Sequence, residues 1–230
     1  MIYLDVTKQD DWWVCFSIAF ANWFKDKEEV CFKINERQKD FFSRFNFSYR
    51  LNYSGISNIV GLKDFYDIKL EDLPYGLKFP KVDSNREGGV VCHPFVYNQL
   101  WGGTYPLEKY RLILELLRVE NFILGPYSGE KWRSDFIVYD FDFKDIWEIL
   151  SRTVLYIGSP SPISMMCRLL SIPTVVLYDE HSWLSDLSLW YPGREKGHEV
   201  FGLNISEKIV LDSCIKNLSE NANRIKVRII

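Results

Sequence analysis

Two adjacent aspartates, Asp10 and Asp11, lie four and five residues after the apolar run that ends at Val6. A carboxylate just beyond a strand is well placed to accept a proton from a hydroxyl group that reacts there. Two neighbouring carboxylates also repel each other, which raises the proton affinity of one of them. Aspartate is equally a standard helix cap, and a helix-like stretch follows. The pair therefore predicts either a general base or a helix cap.

Glycines follow two other apolar runs. Gly102, Gly103 and Thr104 come shortly before a proline that marks the first turn of a helix. Backbone amides at a helix start suit a diphosphate. Gly125 and Tyr127 follow the run "NFIL", where a glycine-proline turn with an aromatic ring could hold a nucleobase. Ordinary turns are the alternative interpretation of both segments.

A third loop, "GSPSPIS", joins the apolar run "TVLYI" to a helix-like stretch. Ser159, Ser161 and Ser164 place hydroxyl groups at the start of that helix, where the amides and the helix dipole attract anions. Asp179 ends the next apolar run, "TVVLY", and could bind a ribose or sugar hydroxyl, with a solvated loop as the equal alternative. The loops on one edge of a parallel sheet predict a nucleotide crevice.

The elements that would position these residues alternate between strand and helix patterns. The runs "IYLDV", "EVCFKI" and "FSYRL" are strand-like and "FYDIKL" is a weaker fourth, with helical patterns between the first three. A proline-, glycine- and charge-rich linker at residues 73–87 interrupts the alternation, which then restarts. This pattern predicts an α/β protein with two Rossmann-like domains and parallel sheets.

Three segments follow from this organisation. Residues 1–80 are expected to form a small Rossmann-like domain, and residues 81–205 are expected to form a second one that binds a nucleotide. Residues 206–230 form a helix and tail that pack back across both domains. We expect the linker at residues 73–87 to separate two sheets.

Composition and charge narrow the function classes. The chain has 230 residues, of which 47% are hydrophobic and 26% charged, as in ordinary globular proteins. The net charge of −3 gives no general attraction to nucleic acid. The five cysteines form no C-x-x-C pair and the three histidines lack metal-ligand spacing, so no metal site is expected. No signal peptide or membrane span is expected either, which indicates a cytoplasmic protein with reduced thiols.

The second half resembles the donor-binding domain of the heptosyltransferase-like glycosyltransferases, which have the two-domain B-type (GT-B) fold. The matching segments are "VVCHPF", "TYPLEKYRLILELL", "FILGP" and "PSPISMMCRLLSIP", over roughly residues 88–178. In the first half the resemblance is faint. The family has a Gly-Asp pair after its first strand, and by position Asp11 corresponds to its catalytic aspartate and Asp10 to its glycine.

This sequence departs from the family at residues that grip the donor. The family's loop reads Asp-Ser-Gly-x-x-His, and here Pro160, Pro162 and Met165 replace its aspartate, glycine and histidine. Only Ser161 matches in kind. The lysine before the family's aromatic-proline pair is replaced by Gly103. Because these residues have changed, the particular sugar does not carry over from the family. The loss of the lysine also means that backbone amides and hydroxyls must do more to hold the diphosphate.

The resemblance implies a glycosyltransferase that needs no tightly bound metal or cofactor and uses a nucleotide sugar as co-substrate. It would bind the nucleotide sugar on residues 81–205 and the acceptor on the side of residues 1–80. Its acceptor would be a surface glycan, a lipid-linked saccharide or a hydroxylated base of viral DNA. Two other interpretations remain open: an enzyme like the pyruvyl transferases, and a protein that binds a nucleotide without turnover. A pyruvyl transferase would be expected to carry a basic residue and a histidine in the serine loop, which has no basic residue before Arg168.

Overall fold

The computed structural model contains two separate parallel β-sheets. It describes residues 2–8, 14, 17, 18, 21, 29–43, 48–51, 59–60, 89–94, 104–119, 121–124, 136–138, 149–150, 152–179 and 197–221. The two sheets confirm the predicted α/β class with two Rossmann-like units. The linker at residues 73–87 and the predicted strand "FYDIKL" lie outside the described residues.

The first sheet has four strands in the order β3-β2-β1-β4, and every described pairing is parallel. Its members are β1 (Ile2–Asp5), β2 (Val30–Ile34), β3 (Ser48–Leu51) and β4 (Ile59–Val60). After β2 a 3-10 turn (Glu36–Gln38) leads into the short helix α1 (Lys39–Phe42). The described helical residues between β1 and β2 are Val14, Ser17, Ile18 and Ala21, whose spacing places them on one buried helical face.

The second sheet has six strands in the order β10-β9-β8-β5-β6-β7, again all parallel. The strands are β5 (Val90–His93), β6 (Asn121–Leu124), β7 (Phe136–Val138), β8 (Leu155–Gly158), β9 (Thr174–Tyr178) and β10 (His198–Gly202). Three helices accompany them: α2 (Leu107–Leu117), α3 (Pro162–Leu169) and α4 (Glu207–Asn221).

The central strands of the second sheet are buried on both faces. All four residues of β5 and all four of β8 are buried, which explains why these segments are continuous apolar runs rather than alternating ones. The main core joins these strands to the inner faces of α2 and α4 through residues such as Ile113, Leu114, Val210 and Cys214. The described cysteines, Cys31, Cys92, Cys167 and Cys214, are all buried.

Two strands were not predicted from the sequence. β4 has only two residues, and β10 contains His198 and Glu199, which interrupt any apolar pattern. The last helix, α4, begins and ends near the predicted positions and packs on α2, β8 and β9. Its packing across the first domain stays a prediction, as do the domain boundaries at residues 80 and 205.

The strand orders fix where ligands can bind. In the first sheet the chain steps from β1 to β2 and β3 on one side and places β4 on the other side of β1. In the second sheet β6 and β7 lie on one side of β5, and β8, β9 and β10 on the other. Among the described strands, the order in which the chain adds strands therefore reverses once in each sheet, between β1 and β4 in the first and between β5 and β8 in the second. Ligands of open α/β sheets bind at the carboxyl ends of the strands beside such switch points.

Candidate functional site

At the switch point of the second sheet, the ends of β5 and β8 are pressed together. His93 and Gly158 are register partners, and the Ser159 amide donates to the His93 carbonyl oxygen at 2.9 Å. A Cβ atom on Gly158 would lie 2.3 Å from that same carbonyl oxygen. Only glycine allows this close approach of the two backbones, so the packing of β8 against β5 requires a glycine at position 158.

The serine loop caps its own helix. The Ser161 hydroxyl oxygen accepts from the Ser164 amide at 3.1 Å, and the Ser164 hydroxyl oxygen accepts from the Ser161 amide at 2.9 Å. This reciprocal pair is a capping box at the start of α3. Pro162 follows at the first helical position and has no N–H. The Ile163 amide is thus the one first-turn donor that neither the box nor the proline removes.

A buried tyrosine holds the loop from within the sheet. The Tyr156 hydroxyl, on β8, donates to the Ser159 carbonyl oxygen at 2.6 Å and lies 3.0 Å from the Ser161 hydroxyl oxygen. The Ser159 hydroxyl in turn donates to the Pro94 carbonyl oxygen at 3.2 Å. Ser159, Ser161 and Ser164 are each fully buried. In the structure these three serines shape the loop. Their direct contact with a nucleotide-sugar donor stays a prediction.

The start of α2 is more open. Thr104 is exposed, and Pro106 occupies the N-cap position without any side-chain cap. The amides of Lys109 and Tyr110 both turn to the Pro106 carbonyl oxygen. The first amides of a helix have no acceptor within the helix. This helix start therefore keeps more anion-binding capacity than that of α3, where the capping box and Pro162 leave the Ile163 amide alone.

The other predicted donor residues divide into two groups. Asp179 directly follows β9, which pairs with β8, so it lies on the same carboxyl edge as the serine loop and is partly buried. Gly102, Gly103, Gly125 and Tyr127 lie outside the described residues. So do Asp10 and Asp11, the candidate bases.

His93 and Tyr110, which are buried beside the switch point of the second sheet, are both uncharged near neutral pH. Burial lowers the pKa of His93 to about 4, so its ring is neutral. Burial also raises the pKa of Tyr110 well above its usual value. Among the described residues nearest this point, a bound diphosphate would meet dipoles and amides, and such preorganised dipoles stabilise charge that develops on a leaving group.

The switch point of the first sheet is charged, which the sequence interpretation missed. Asp5 ends β1, and its Oδ2 accepts a hydrogen bond from Lys33 Nζ on β2 at 2.7 Å. Its Oδ1 accepts from both the amide and the hydroxyl of Thr7. Burial alone raises the pKa of Asp5, but these hydrogen bonds outweigh it and hold the pKa below its usual value. Asp5 is thus an anion, better suited to orienting a group than to removing its proton.

The chain that leaves β1 is anchored by the turn that follows β2. The Val6 carbonyl oxygen accepts from Gln38 Nε2, and the Thr7 carbonyl oxygen accepts from Asn35 Nδ2, each at 2.8 Å. Asn35 and Gln38 are themselves joined by a capping box, in which Asn35 is the N-cap of the 3-10 turn. These bonds fix the direction in which the chain continues toward Asp10 and Asp11.

The signal for the Asp5–Lys33 pair was present in the sequence but incomplete. "IYLDV" carries one charged residue, Asp5, and "EVCFKI" carries Lys33 within its apolar part, after Glu29 at its start. Only the register of β1 against β2, in which Asp5 is opposite Lys33, shows that the two charges meet.

Comparisons with known proteins rest on structure alone. No family model matches the sequence, and no curated protein matches it either. Among solved structures, the E. coli ADP-heptose LPS heptosyltransferase II matches with a TM-score of 0.64 and 11% identity. That alignment covers 96% of this chain and 99% of the other. E. coli heptosyltransferase WaaC with ADP matches with a TM-score of 0.63 and 10% identity, over 94% of this chain and 99% of the other.

The chain has the fold of the heptosyltransferases. This result confirms the fold that the segments of the second half suggested, and it extends the likeness to the first half, where the sequence resemblance was faint. A third structure with the heptosyltransferase fold is the dodecameric, iron-containing TibC in complex with ADP-D-β-D-heptose, with a TM-score of 0.53 and 10% identity. The alignment covers 77% of this chain and 58% of TibC.

Within the described part of the chain, no helix combines the length and apolarity needed to cross a lipid bilayer.

Proposed function

We propose that this protein is a glycosyltransferase that moves a sugar from a nucleotide-sugar donor to an acceptor hydroxyl. The observation that carries the proposal is the likeness of nearly the whole chain to heptosyltransferase structures, one of them with ADP bound. Two parallel sheets, each with a single switch point, provide the two ligand edges that such a reaction needs.

The donor binds at the carboxyl edge of the second sheet. Its diphosphate lies against the open start of α2, at Gly102, Gly103 and Thr104, where first-turn amides have no helical acceptor. Asp179, at the end of β9, takes a ribose or sugar hydroxyl. The nucleobase of the donor lies near Gly125 and Tyr127.

The serine loop contributes to donor binding through shape. Ser159, Ser161 and Ser164 hold the turn between β8 and α3 in one conformation, and the Ile163 amide and the helix dipole face the donor. Amides and dipoles can stabilise the leaving diphosphate without a bound metal ion, so metal-independent catalysis is part of the proposal.

The reaction starts on the side of the first sheet. Asp11 takes the proton from the acceptor hydroxyl as that oxygen attacks the anomeric carbon, and Asp10 caps the adjacent helix. The bond from the anomeric carbon to the donor phosphate breaks, and the nucleoside diphosphate leaves with its electron pair. The hydrogen bonds around Val6 and Thr7 support this assignment because they fix where the chain leaves β1.

Calorimetric titration with nucleoside diphosphates and a panel of nucleotide sugars tests the proposal. We expect one nucleotide class to bind, and the matching nucleotide sugar to be hydrolysed slowly to free sugar when water replaces the acceptor. Absence of binding across uridine, guanosine, cytidine and adenosine diphosphate sugars would contradict the proposal.

A second candidate function is nucleotide binding without turnover. The observation in its favour is the self-capped serine loop, which presents no charged side chain and no exposed hydroxyl at the switch point. Tight binding of a nucleotide sugar with neither hydrolysis nor transfer would select this candidate. A pyruvyl-transferase-like activity gains no support from the described residues of the loop.

A further inference from the structure

A row of charged residues crosses the carboxyl edge of the first sheet. Asp5 on β1 is opposite Lys33 on β2, and Lys33 is opposite Arg50 on β3. Side chains in register on adjacent parallel strands share one face of the sheet, so the three lie side by side. Asp5 is next to the switch point, because β4 pairs with β1 on its other side.

The Asp5–Lys33 pair is only partly covered by protein. The side chains are 27% and 20% exposed, respectively, and Arg50 is exposed. Within the part of the chain that the structure describes, Lys33 Nζ makes one hydrogen bond, to Asp5 Oδ2, although an ammonium group has three donors. Asp5 Oδ2 likewise has room for a second donor. The pair therefore offers one acceptor and two donors at adjacent points.

The structural role of Asp5 does not require Lys33. Asp5 Oδ1 alone accepts the amide and hydroxyl of Thr7 and so fixes the turn after β1. A partly exposed ion pair contributes little to stability. The lysine at this edge, opposite the carboxylate, is explained better by a ligand than by the fold.

The chemistry of the pair identifies the class of ligand. Two hydroxyl groups on neighbouring carbons can bind together: one donates to Asp5 Oδ2 and the other accepts from Lys33 Nζ. A lone hydroxymethyl group, as on a modified DNA base, has one oxygen, which can donate to Asp5 Oδ2 but leaves one of the two free N–H groups of Lys33 without an acceptor. A saccharide with a vicinal diol satisfies both Asp5 and Lys33.

We propose that Asp5 and Lys33 bind the vicinal diol of a saccharide acceptor at the carboxyl edge of the first sheet. The assignment of this ligand as the acceptor rests on the proposed function, because it places the acceptor on the sheet that carries Asp11. Asp5 and Lys33 then determine acceptor specificity, and the transferred proton goes to another residue.

Saturation-transfer NMR with methyl aldopyranosides and their 2,3-dideoxy analogues tests the site directly. We expect the wild-type protein to bind parent glycosides and not the dideoxy analogues. Lys33→Gln and Asp5→Asn should each weaken that binding about tenfold or more, the usual effect of removing a charged hydrogen bond. Lys216→Gln is the matched control, because it removes a lysine that pairs with Glu199 far from the first sheet in sequence. It should leave binding unchanged.

Thr7→Val separates recognition from folding. This variant removes the 2.7 Å hydrogen bond to Asp5 Oδ1 but keeps both charges. It should lower the melting temperature and keep glycoside binding. Equal loss of binding in Thr7→Val and Lys33→Gln would show a purely structural pair and overturn the proposal. Absence of glycoside binding by the wild-type protein, or binding of a hydroxymethylated oligonucleotide instead, would also overturn it.

Nucleotide titration of the same samples keeps the two proposals apart. Diol binding without any nucleotide binding would leave the Asp5–Lys33 site standing as a saccharide site and reject the transferase. Nucleotide binding in every variant without any diol binding would reject the Asp5–Lys33 site and leave the transferase standing.

Discussion

The two sheets share one topology and have opposite chemistry at their switch points. Where β1 ends, Asp5 and Lys33 form a charged pair that stays partly exposed. Where β5 and β8 end, His93 is neutral and buried, and three serines close the loop with their own hydrogen bonds. The same backbone plan thus gives one edge with charges available to a ligand and another edge whose shape is fixed by packing.

This difference determines how each edge can bind a ligand. Electrostatic recognition is possible at the first edge because its charges retain hydrogen-bonding capacity. At the second edge the three buried serines already hydrogen-bond within the protein, so a ligand there is met mainly by amides, dipoles and shape. Substitutions should therefore affect mainly stability at the second edge and mainly binding at the first.

The largest expected effect on stability is at Gly158. An alanine there would place its Cβ 2.3 Å from the His93 carbonyl oxygen and 2.8 Å from its carbon. Backbone atoms cannot give way cheaply, so Gly158→Ala should cost roughly 3 kcal/mol of unfolding free energy. Urea denaturation measures this loss. Asp5→Ala at the other edge is the comparison, and a loss there as large as at Gly158 would remove the contrast.

Acid should destabilise the protein through its buried histidines. Burial lowers the pKa of His93 to about 4, and burial together with Arg168 lowers that of His198 to about 4. The unfolded chain binds protons near pH 6.5 while the folded one does not, so stability is full above pH 6.5 and falls toward pH 4. Each histidine should cost about 2 kcal/mol by pH 5.

Replacement of one histidine isolates its share. His93→Asn should remove about half of the loss of stability between pH 7 and pH 5, measured by urea denaturation at each pH. An unchanged pH slope in this variant would mean that His93 is not buried in its neutral form at the second switch point.

Loss of the capping box should have a smaller effect. Ser161→Ala removes the acceptor of the Ser164 amide and a partner of the Tyr156 hydroxyl. We expect a loss of about 1 kcal/mol, typical of an N-cap. Ser219→Ala is the control, because that hydroxyl only bonds back to the Ile215 carbonyl oxygen on an exposed helical face. Similar losses in the two variants would argue against the loop as a preformed element.

The smallest expected effect concerns Glu108, an acidic residue in the first turn of α2. A carboxylate at this helix start competes with a diphosphate for the same amides and dipole. Glu108→Gln should tighten nucleoside diphosphate binding about two- to fivefold in calorimetry, since such a charge contributes 0.3 to 1 kcal/mol. Glu115→Gln, in the last turn of the same helix, should change nothing. Unchanged affinity in Glu108→Gln would move the diphosphate away from α2.

Much of the fold could be predicted from local patterns. Strands such as β1, β5 and β8 are apolar runs of the right length, and glycine and proline mark the boundaries. β10 could not be predicted in this way. Its Glu199 is held by Ser213 and Lys216 on α4, and a tertiary contact of this kind leaves no periodic signal.

The candidate site was less predictable because it depends on pairing between distant segments. The spacing of Ser161 and Ser164 is that of a capping box, so their structural role was visible in the sequence beside the anion-binding one. The Asp5–Lys33 contact depends on register across 28 residues, and the hold of Tyr156 on the loop depends on burial. Neither follows from composition or periodicity.

The most direct test of the account is turnover and nucleotide affinity measured together in Asp11→Asn. In the proposed mechanism the catalytic base, Asp11, lies beside the first sheet and the nucleotide-sugar donor binds to the second sheet. Turnover of the nucleotide sugar should therefore fall about 10²- to 10⁴-fold, the usual contribution of a positioned base, while the Kd of the nucleotide stays the same. Turnover equal to that of the wild-type protein, or a nucleotide Kd that rises in step with the loss of turnover, would contradict the assignment of the base to the first edge and the donor to the second.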